Sequence, residues 1–586
     1  MPQLQKAVTC RVLVDNDVLR HDISSVRLEQ YVNDHHVARV RLRGVGEGRQ
    51  GAVVEDTSRF SSMLGKPTTI EIENLEFVGI LTKVTFDNSI DAMNSVILTI
   101  HSPTIAMDGG ARNDIFVDQT ASDVIEATIR RYSVTPGSID SISGQMAYHV
   151  QYRENDWHLV MRLANGAGKF AYYTGREFRV SDATASDSDD LTWPETLGVF
   201  SYGLGTVADK LASQAYDDVS KTVWDSVSTG SLRTSLSGMA SDAHNASGRI
   251  YPDPGFVGGL APGSQAGLDK AMENGRHGRV GDMITCRGES TVTSVGIGRA
   301  VRIRGMNGLG GTYWVTAVTH VFDESGKYHN EFVCTPLDTA FPVRKYLREA
   351  FTDLQSGLVT DTNDPDDQGR VKVKFFWNNR DGSEASAEKW LRVMTLHAGA
   401  EKGTFWLPEI DDEVLIGFTH GNPDRPIVLG ALYNGVDTPP HASHSAGWTA
   451  ADNDLKVIRS KAGNEIFFSD KAGSETLSIV QKDGTNMITL SMSGPSITIE
   501  SSGDIEIKGA NISIESTSGD INLKAAGKLA AEGGSDVEIK AAANFKSEGG
   551  ANYEAKGGAQ AKVSSASTTV EGSAMVTVKG ALVKIN

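Results

Sequence analysis

Cysteine is scarce in this sequence, with three residues in 586: Cys10, Cys286 and Cys334. They are far apart and odd in number, so they predict neither a disulfide framework nor a metal site, and they indicate synthesis in a reducing compartment. Apolar runs are also short. No stretch could span a bilayer, and the first residues contain no apolar segment of signal-peptide length. We therefore expect a chain that does not use ordinary signal-directed export.

Positive charge is in deficit. Lys and Arg number 56 against 74 Asp and Glu, which gives a formal net charge of −18. Because nucleic acids and bilayer surfaces are anionic, this balance argues against either as the main partner. A hydrophobic fraction of 39% is ordinary for a globular protein, and the length predicts several domains.

Candidate metal ligands are few. His441 and His444 lie in a Pro- and Ser-rich segment without a third ligand nearby, which we interpret as a solvated linker. The run Asp364-Pro365-Asp366-Asp367 could bind a cation, but it is more typical of an acidic turn. No His or Cys follows His444. The sequence predicts no metal, no cofactor and no catalytic residue.

An aromatic run, Phe375-Phe376-Trp377, raises single-stranded nucleic acid as an alternative ligand. Stacking aromatic side chains need a basic groove beside them. Only Arg370, Lys372 and Lys374 are basic in this neighbourhood. We therefore predict no nucleic-acid partner.

What the sequence does contain is a repeat at its C-terminal end. From Ile497 onward, two apolar residues that flank a polar one return about every eight positions, with small residues between the pairs. Alternation with period two predicts short strands, and the small residues predict corners. Such units cannot bury their apolar faces alone, so they predict a stacked rod rather than the alternative, a disordered Gly/Ala/Ser tail. The predicted core positions of this rod are Ile497, Ile499, Ile505, Ile507, Ile512, Ile514, Ile521, Leu523, Val537, Ile539, Phe545, Tyr553, Val576 and Val578.

Residues 1 to about 110 read as short alternating strands, and strands resume at Ala300. Two helices are predicted, one over Ala121–Tyr132 and one that follows Gln151-Tyr-Arg-Glu-Asn-Asp-Trp157. Residues 205–280 are rich in Ser, Ala, Gly and Asp, and they predict loops with one helix around Ala266–Met272. The predicted strands are Val8–Val14, Val37–Leu42, Thr68–Ile72, Phe77–Phe86, Ser95–His101, Ala300–Arg304, Tyr313–Phe322 and His329–Thr335.

A central block, Phe351 to Pro440, carries the most specific pattern. Val371, Val373 and Phe375 alternate on one predicted strand of a small barrel, and Val414, Ile416 and Phe418 alternate on another. The glycines of the block suit tight turns or close strand approach, and the prolines rigidify a loop. The residues that carry the pattern are Asp364, Pro365, Gly369, Arg370, Val371, Trp377, Gly421, Pro423, Arg425, Pro426 and Gly430.

This block closely resembles the OB-fold of the valine-glycine-repeat (VgrG) spike proteins of type VI secretion and related phage-tail-like injection machines. Gln151 to Trp157 resembles the segment that opens the second half of their hub domain, and Ser460 to Ile479 resembles their transition into a needle. The tail departs from the family, because Ile-x-Ile units replace most Val-Gly pairs. This departure slightly favours an extracellular phage-tail-like particle over a type VI spike.

The resemblance implies a mainly β fold in three parts. Residues 1–345 would form a phage-hub-like domain of paired small β-barrels with helical insertions, and residues 346–440 an OB-fold collar. Residues 441–586 would form a linker and an intertwined triple-stranded β-helix in a homotrimer. The predicted tip is Val583, Lys584, Ile585 and Asn586.

The implied function is structural: a spike that caps an inner tube and punctures a membrane when a sheath contracts. The implied partners are tail-tube and baseplate proteins, a PAAR-type tip protein, effector cargo and, transiently, the target-cell membrane. The chain would be made in the bacterial cytoplasm and then released or ejected with its particle. The alternative class is a β-helical tail-fibre adhesin or a polysaccharide-degrading enzyme. Such an enzyme needs a carboxylate pair about 5–10 Å apart, whereas Glu and Lys mix along the rod.

Overall fold

The computed structural model describes residues 5–43, 57–88, 94–228, 232, 236, 238–258, 260, 262–342, 353–377, 388–440 and 453–585, with Gln145 and Ala147 described by their backbone alone. Two compact units result, Met1–Ser445 and Ala446–Asn586. His441, His444 and Asn586, singled out from the sequence, lie outside the described residues, as do the predicted boundaries at 345 and 441. The mainly β prediction is confirmed.

The first unit begins with an antiparallel series of strands. The predicted strands here are confirmed to within three residues at each end, because their inward positions are buried and mostly β-branched or leucine. The elements are β1 Lys6–Ala7, β2 Cys10–Val14, β3 Asp17–Val18, β4 Asp22–Tyr31, β5 Val37–Arg43, α1 Thr57–Ser61, β6 Pro67–Ile72, β7 Leu75–Asp87 and β8 Ser95–His101.

A hairpin and two helices come next. Thr120 begins α2 with a capping box, since its hydroxyl accepts the Asp123 N–H while the Asp123 carboxylate accepts the Thr120 N–H. Both predicted helices are confirmed, although α2 ends three residues early. The elements are a short 3-10 helix Pro103–Asp108, β9 Arg112–Thr120, α2 Ala121–Ile129, β10 Pro136–Ile139, β11 Gln145–Glu154, α3 Asp156–Gly166, β12 Phe170–Tyr173, β13 Phe178–Ser181, β14 Ser188–Thr192 and β15 Leu197–Leu204.

The helix predicted around Ala266–Met272 is confirmed, but the prediction of loops over the rest of residues 205–280 is wrong. This stretch holds β16 Leu211–Asp217, β17 Thr222–Ser228, α4 Gly238–Ile250, β18 Gly255–Phe256 and α5 Gln265–Gly281. The small residues that suggested loops allow close packing instead. A Cβ at Gly275 of α5 would lie 2.9 Å from Leu211 Cδ1 of β16, so glycine lets the helix approach the strand.

Four further strands complete the main sheet: β19 Ile284–Ser290, β20 Ala300–Arg304, β21 Gly311–Phe322 and β22 Lys327–Pro336. The sheet has 14 strands, in the order β15-β19-β22-β21-β4-β5-β8-β7-β6-β2-β3, with β1, β14 and β20 paired beside this path. Pairing of β21 with β4 joins its two halves. Each half encloses its own hydrophobic core, one including Val40 and Ile100 and the other Trp314 and Phe332.

A small barrel follows. Its strands are β23 Gln355–Asp361, β24 Arg370–Phe375, β25 Lys389–Arg392, β26 Ala398–Gly399, β27 Lys402–Gly403, β28 Glu413–Phe418 and β29 Pro426–Ala431. Five of them pair in the order β25-β24-β23-β28-β29. A bridge between Val393 and Val428 closes the ring, and the Met394 N–H donates to the Val428 oxygen over 2.8 Å. Val371, Val373, Val414 and Ile416 are fully buried inside, as predicted.

The second unit begins with an antiparallel meander of five strands: β30 Leu455–Arg459, β31 Glu465–Ser469, β32 Thr476–Val480, β33 Asn486–Ser491 and β34 Ser496–Ser501. Ile497 and Ile499, predicted as the first rod positions, therefore lie in the last strand of a hairpin-connected sheet. From residue 503 the chain is extended, and residues 503–585 form no strand pair with one another. Among the helices that the structure describes, none is long and apolar enough to span a membrane.

Candidate functional site

The predicted OB motif begins with a tight acidic turn. The Asp364 carboxylate accepts the backbone N–H groups of Asp366, Gln368 and Arg370, and the Arg370 Nε lies 3.0 Å from Asp364 Oδ2. The Arg370 guanidinium is the main cause that lowers the pKa of Asp364. Gly369 closes the turn at φ +68°. Because these donors occupy the Asp364 carboxylate, it serves as a structural acceptor rather than as an open cation ligand.

The remaining motif residues have different surroundings. Gly421, at φ +65°, sits in a turn as predicted, and Pro423 and Pro426 are buried. At Gly430 the prediction of a tight turn or a close strand approach is wrong. A Cβ there would meet nothing within 4 Å, so neither a tight turn nor a close approach requires glycine at that position.

The aromatic run is divided between core and surface, and Phe376 is 53% exposed between two packed neighbours. Phe375 is buried in the barrel core, and the Trp377 ring packs 5.6 Å from the Tyr152 ring of β11. Lys372 is paired with Glu388 over 3.2 Å, while Arg370 is held in the turn. These contacts assign Trp377 to packing between the barrel and the N-terminal body (residues 5–342).

A buried polar chain connects this body to the barrel. Arg162 of α3 donates to both Glu154 oxygens, over 2.8 and 2.7 Å, and its Nη1 lies 3.1 Å from His149 Nε2. His149 Nδ1 in turn lies 3.2 Å from Asp424 Oδ2 on the barrel, and the Val150 N–H donates to Asp424 Oδ1 over 2.7 Å. Sequence reasoning missed His149 and Asp424, because nothing in the spacing of residues 149 and 424 indicates their contact.

The predicted segment Gln151 to Trp157 supplies most of the supporting contacts. Gln151 Nε2 donates to the Glu154 carbonyl and to Asp156 Oδ1, which fixes the bend before α3. The Asn155 side chain caps α3 by accepting the His158 N–H over 2.7 Å. Trp157 is buried in the first core. The segment is therefore a structural corner that orients β11 and α3 toward the barrel.

The charged side chains at this junction are largely removed from water, which shifts their pKa values. Burial alone would raise the pKa of Glu154, but hydrogen bonds from Arg162 and His158 outweigh it and lower the pKa to about 2. Burial lowers the pKa of Lys389 to about 8. The Lys389 ammonium donates to the Asp424 carbonyl over 2.8 Å and lies 4.3 Å from the centre of the Tyr148 ring. Each charge has a specific partner, as a well-defined interface requires.

The meander of the second unit exposes a broad apolar face. Its strand register aligns one isoleucine from each strand in a single row, and these side chains are 38–59% exposed. A second row on the same face is Lys456, Phe468, Leu477, Leu490 and Ile497. The isoleucine row is Ile458, Ile466, Ile479, Ile488 and Ile499.

The opposite face of the meander is mixed and more polar, with rows such as Val457, Phe467, Ser478, Thr489 and Thr498. Nine of the ten positions in the two apolar rows are hydrophobic. Soluble monomers rarely leave so large a contiguous apolar surface in water. This face is therefore a candidate assembly surface that the described residues of the second unit leave uncovered.

The extended segment repeats its geometry every eight residues. The chain bends at Ala510, Ser518, Ala526, Gly534, Ala542, Gly550, Gly558 and Ala566, which are eight positions apart, and again near Ser573 and Ala581. The predicted core side chains between these bends are all more than half exposed, from Ile505 through Val578, as is Ile585 at the predicted tip. Val583 is 47% exposed, and Lys584 is exposed as well.

The described part of the chain contains no group of three or more His, Cys, Asp and Glu side chains that could hold a metal ion. The predicted OB residues are brought together in one barrel and its junction. Among the predicted rod residues, Ile497 and Ile499 join the apolar rows of the meander. Those from Ile505 to Val578 stay exposed along the described part of the second unit. The geometry thus offers surfaces for assembly.

Comparison with known proteins gives matches in both parts of the first unit. The family described as phage tail baseplate hub (GPD) matches residues 51–326, and the type VI secretion system/phage-baseplate injector OB domain matches residues 355–433. The type VI secretion system spike protein VgrG1a of Pseudomonas aeruginosa is 36% identical over 129 residues, 21% of this chain and 20% of that protein. VgrG3 of Vibrio cholerae is 33% identical over 130 residues, 21% and 12% of the two chains.

The matched stretch spans about a fifth or less of these relatives' length. Among solved structures, a chain of the lidded Francisella PdpA–VgrG complex superposes with a TM-score of 0.56 at 10% identity, over 85% of this chain and 80% of that one. This likeness concerns the fold. With a hub match over residues 51–326, an injector OB match over residues 355–433 and VgrG relatives, the chain is similar to VgrG-type spike proteins.

Proposed function

We propose that the chain is the homotrimeric spike of a contractile injection machine, with the hub domain seated on the inner tube and the C-terminal segment forming the needle. The observation that carries this proposal is the uncovered apolar surface of the second unit. It comprises the isoleucine row of the meander and the apolar pairs of the extended segment.

The eight-residue geometry supports three chains rather than one. In a single-chain solenoid, successive strands pair with each other, and their apolar side chains face a shared interior. Here residues 503–585 are extended between regular bends without intrachain strand pairing. Copies wound around a common axis would supply the missing backbone partners and would bury the rows from Ile505 to Ile585. The result would be an intertwined triple-stranded β-helix with few free edges.

The similarity supports a mechanical role. The chain's hub and OB domains are similar to those of structural spikes, and we propose that this chain contributes stiffness rather than catalysis. Tail-tube and baseplate proteins would contact the hub, and a PAAR-type protein would cover the tip at Val583 to Asn586. Effector cargo and a transient contact with the target membrane would follow from that position. The chain would reach the outside with the machine.

The test is the mass of the purified full-length chain in solution, measured by light scattering, beside a chain that ends at Ser445. We expect three times 62.8 kDa for the full chain and a smaller assembly or a monomer for the shortened one. Electron microscopy should then show a thin rod only for the full chain. A monomeric full-length chain would contradict the proposal and would reopen the adhesin and enzyme alternatives.

A further inference from the structure

Two of the three cysteines, distant in sequence, face each other in the second core of the body. Cys286 of β19 and Cys334 of β22 are directly opposite in antiparallel register. Both are buried, with 0% and 1% of their surface exposed, and both are free thiols.

The geometry of such a pair suits a covalent bond. Directly opposed residues on antiparallel strands have Cα atoms about 4.5–5.5 Å apart and side chains on the same face of the sheet. Disulfides bridge Cα atoms about 4.4–6.8 Å apart. Cys10 lies on β2 and packs against the other core, so it provides an internal comparison.

We propose that Cys286 and Cys334 are an oxidation site that closes into an intramolecular disulfide when the chain meets an oxidising solution. One thiolate attacks a low-molecular-weight disulfide and releases one small thiol. The second cysteine thiolate then attacks the resulting mixed disulfide and releases the other. The two cysteines lose two electrons and two protons, and the small disulfide becomes two thiols.

The occasion for this reaction rests on the proposed function, since export of a spike would carry the chain out of a reducing cytoplasm. The thiol–disulfide exchange itself does not depend on that function. A bond between β19 and β22 would tie the second strand of the sheet, counted from its β15 edge, to the third. It would restrain that edge of the hub outside the cell, while synthesis in the cytoplasm would leave both thiols reduced.

Burial controls the rate of closure. Burial raises the pKa of the Cys334 thiol well above its usual value, so little thiolate is present at neutral pH. The oxidant must also reach a closed core, which requires local opening of the β15–β19 edge. We therefore expect closure over hours rather than seconds.

The experiment incubates the folded full-length chain at pH 8.5 with an excess of a low-molecular-weight disulfide, over a time course of hours to days. The chain is then unfolded, alkylated and digested for mass spectrometry. We expect a peptide pair linked through Cys286 and Cys334, with Cys10 alkylated or carrying the small thiol. The thermal midpoint should rise by about 5 °C and return after reduction.

Two variants sharpen the result. Cys334→Ala should abolish both the linked peptide and the rise in the midpoint, while Cys10→Ser should retain both. Full alkylation of Cys286 and Cys334 at the end of the time course would overturn the proposal, and so would linkage of either to Cys10. Neither outcome depends on trimer formation or on injection, so failure here would leave the proposed function untouched.

Discussion

At the scale of single residues, the junction between the hub and the OB domain depends on charges that water cannot reach. Arg162 and Glu154 are both less than a tenth exposed, and each satisfies the other with two hydrogen bonds. A buried pair of this kind contributes little relative to apolar packing, but breaking it leaves one charge uncompensated. The chain of contacts continues through His149 to Asp424, so the same residues align two domains.

Glu154→Gln should therefore reduce the free energy of unfolding by about 3 kcal/mol at pH 7. The amide keeps the shape of the side chain but cannot neutralise Arg162. Urea denaturation of the full chain measures the change. The matched control is Glu126→Gln, because Glu126 pairs with Arg130 on the surface. The control should change stability by less than about 0.5 kcal/mol, and equal effects of the two substitutions would contradict the argument.

The same carboxylate makes stability depend on acid. Its pKa is about 2 in the folded chain against an ordinary value of 4.5. The stabilisation is fully present above about pH 4.5 and is lost as the pH falls toward 2, because the unfolded chain takes up the proton first. Denaturation curves between pH 5 and pH 2 should be steeper for the wild type than for Glu154→Gln.

Two buried histidines make the stability of the chain depend on pH in a higher range. Gln30 joins them, since its amide N–H donates to His36 Nδ1 and its carbonyl accepts from His320 Nε2. His320 Nδ1 accepts from the Tyr328 hydroxyl, and His36 Nε2 donates to the Tyr31 carbonyl. Both rings are thus satisfied in their neutral form. Burial lowers the pKa of each to about 3.

Stability should consequently fall as the pH decreases from about 6.5 to about 3, because the unfolded chain binds protons that the folded chain excludes. Each histidine contributes a slope of up to about 1.4 kcal/mol per pH unit. His320→Gln removes one of these protons, so its stability curve between pH 6.5 and pH 4.5 should be flatter than that of the wild type. A curve parallel to the wild type would show that this histidine is not neutral in the folded chain.

At the scale of elements, the meander is the clearest case of a structure that its own chain leaves unfinished. Each of its five strands places an isoleucine in one row, while the reverse side carries Ser and Thr among its rows. An isolated sheet with one uncovered apolar face is poorly stable in water. The sheet therefore needs a partner. One substitution on each face can test which face that partner covers.

Ile479→Asn places a polar amide at the centre of the isoleucine row. Since burying an unpartnered amide costs about 1–3 kcal/mol in each chain of an assembly, we expect dissociation at concentrations where the wild type remains associated. Thr498→Asn, on the opposite face, should leave the assembly intact. Light scattering over a dilution series separates the two variants. Dissociation of both, or of neither, would contradict the assignment of the faces.

At the scale of the whole molecule, the eight-residue period determines whether the needle can be shortened. Removal of residues 527–550 deletes three full repeats, so each remaining bend keeps its place relative to its neighbours. Removal of residues 527–546 deletes two and a half repeats and moves every later corner to the middle of a strand. The first deletion should preserve the assembly, and the second should disrupt it.

Strands in a β structure stack about 4.8 Å apart, so the 24-residue deletion should shorten the rod by about 14 Å if each segment advances the chain by one strand spacing. Electron microscopy measures the length, and light scattering checks the mass. Tolerance of both deletions would indicate a flexible tail rather than a registered rod.

The sequence by itself determined what depends on local periodicity. Alternation in Ser95–His101 and in Ala300–Arg304 gave the observed strand bounds, and the apolar face of α2 is the buried one. The burial of Val371 and Val373 in the barrel could be predicted equally well, because a strand with one buried face must alternate. The bends at intervals of eight follow from small residues that recur at the same interval.

Tertiary structure decided the rest, because contacts between distant residues leave no local trace. The strands β16 to β18 and the helix α4 look like loops in the sequence, which predicts only α5, and glycine at 275 lets α5 approach β16. His149 meets Asp424, and Cys286 meets Cys334, only when separate strands or domains come together. The apolar face of the meander appears only once strand register places five isoleucines in one row, since alternation within each strand does not fix which residues become neighbours across strands.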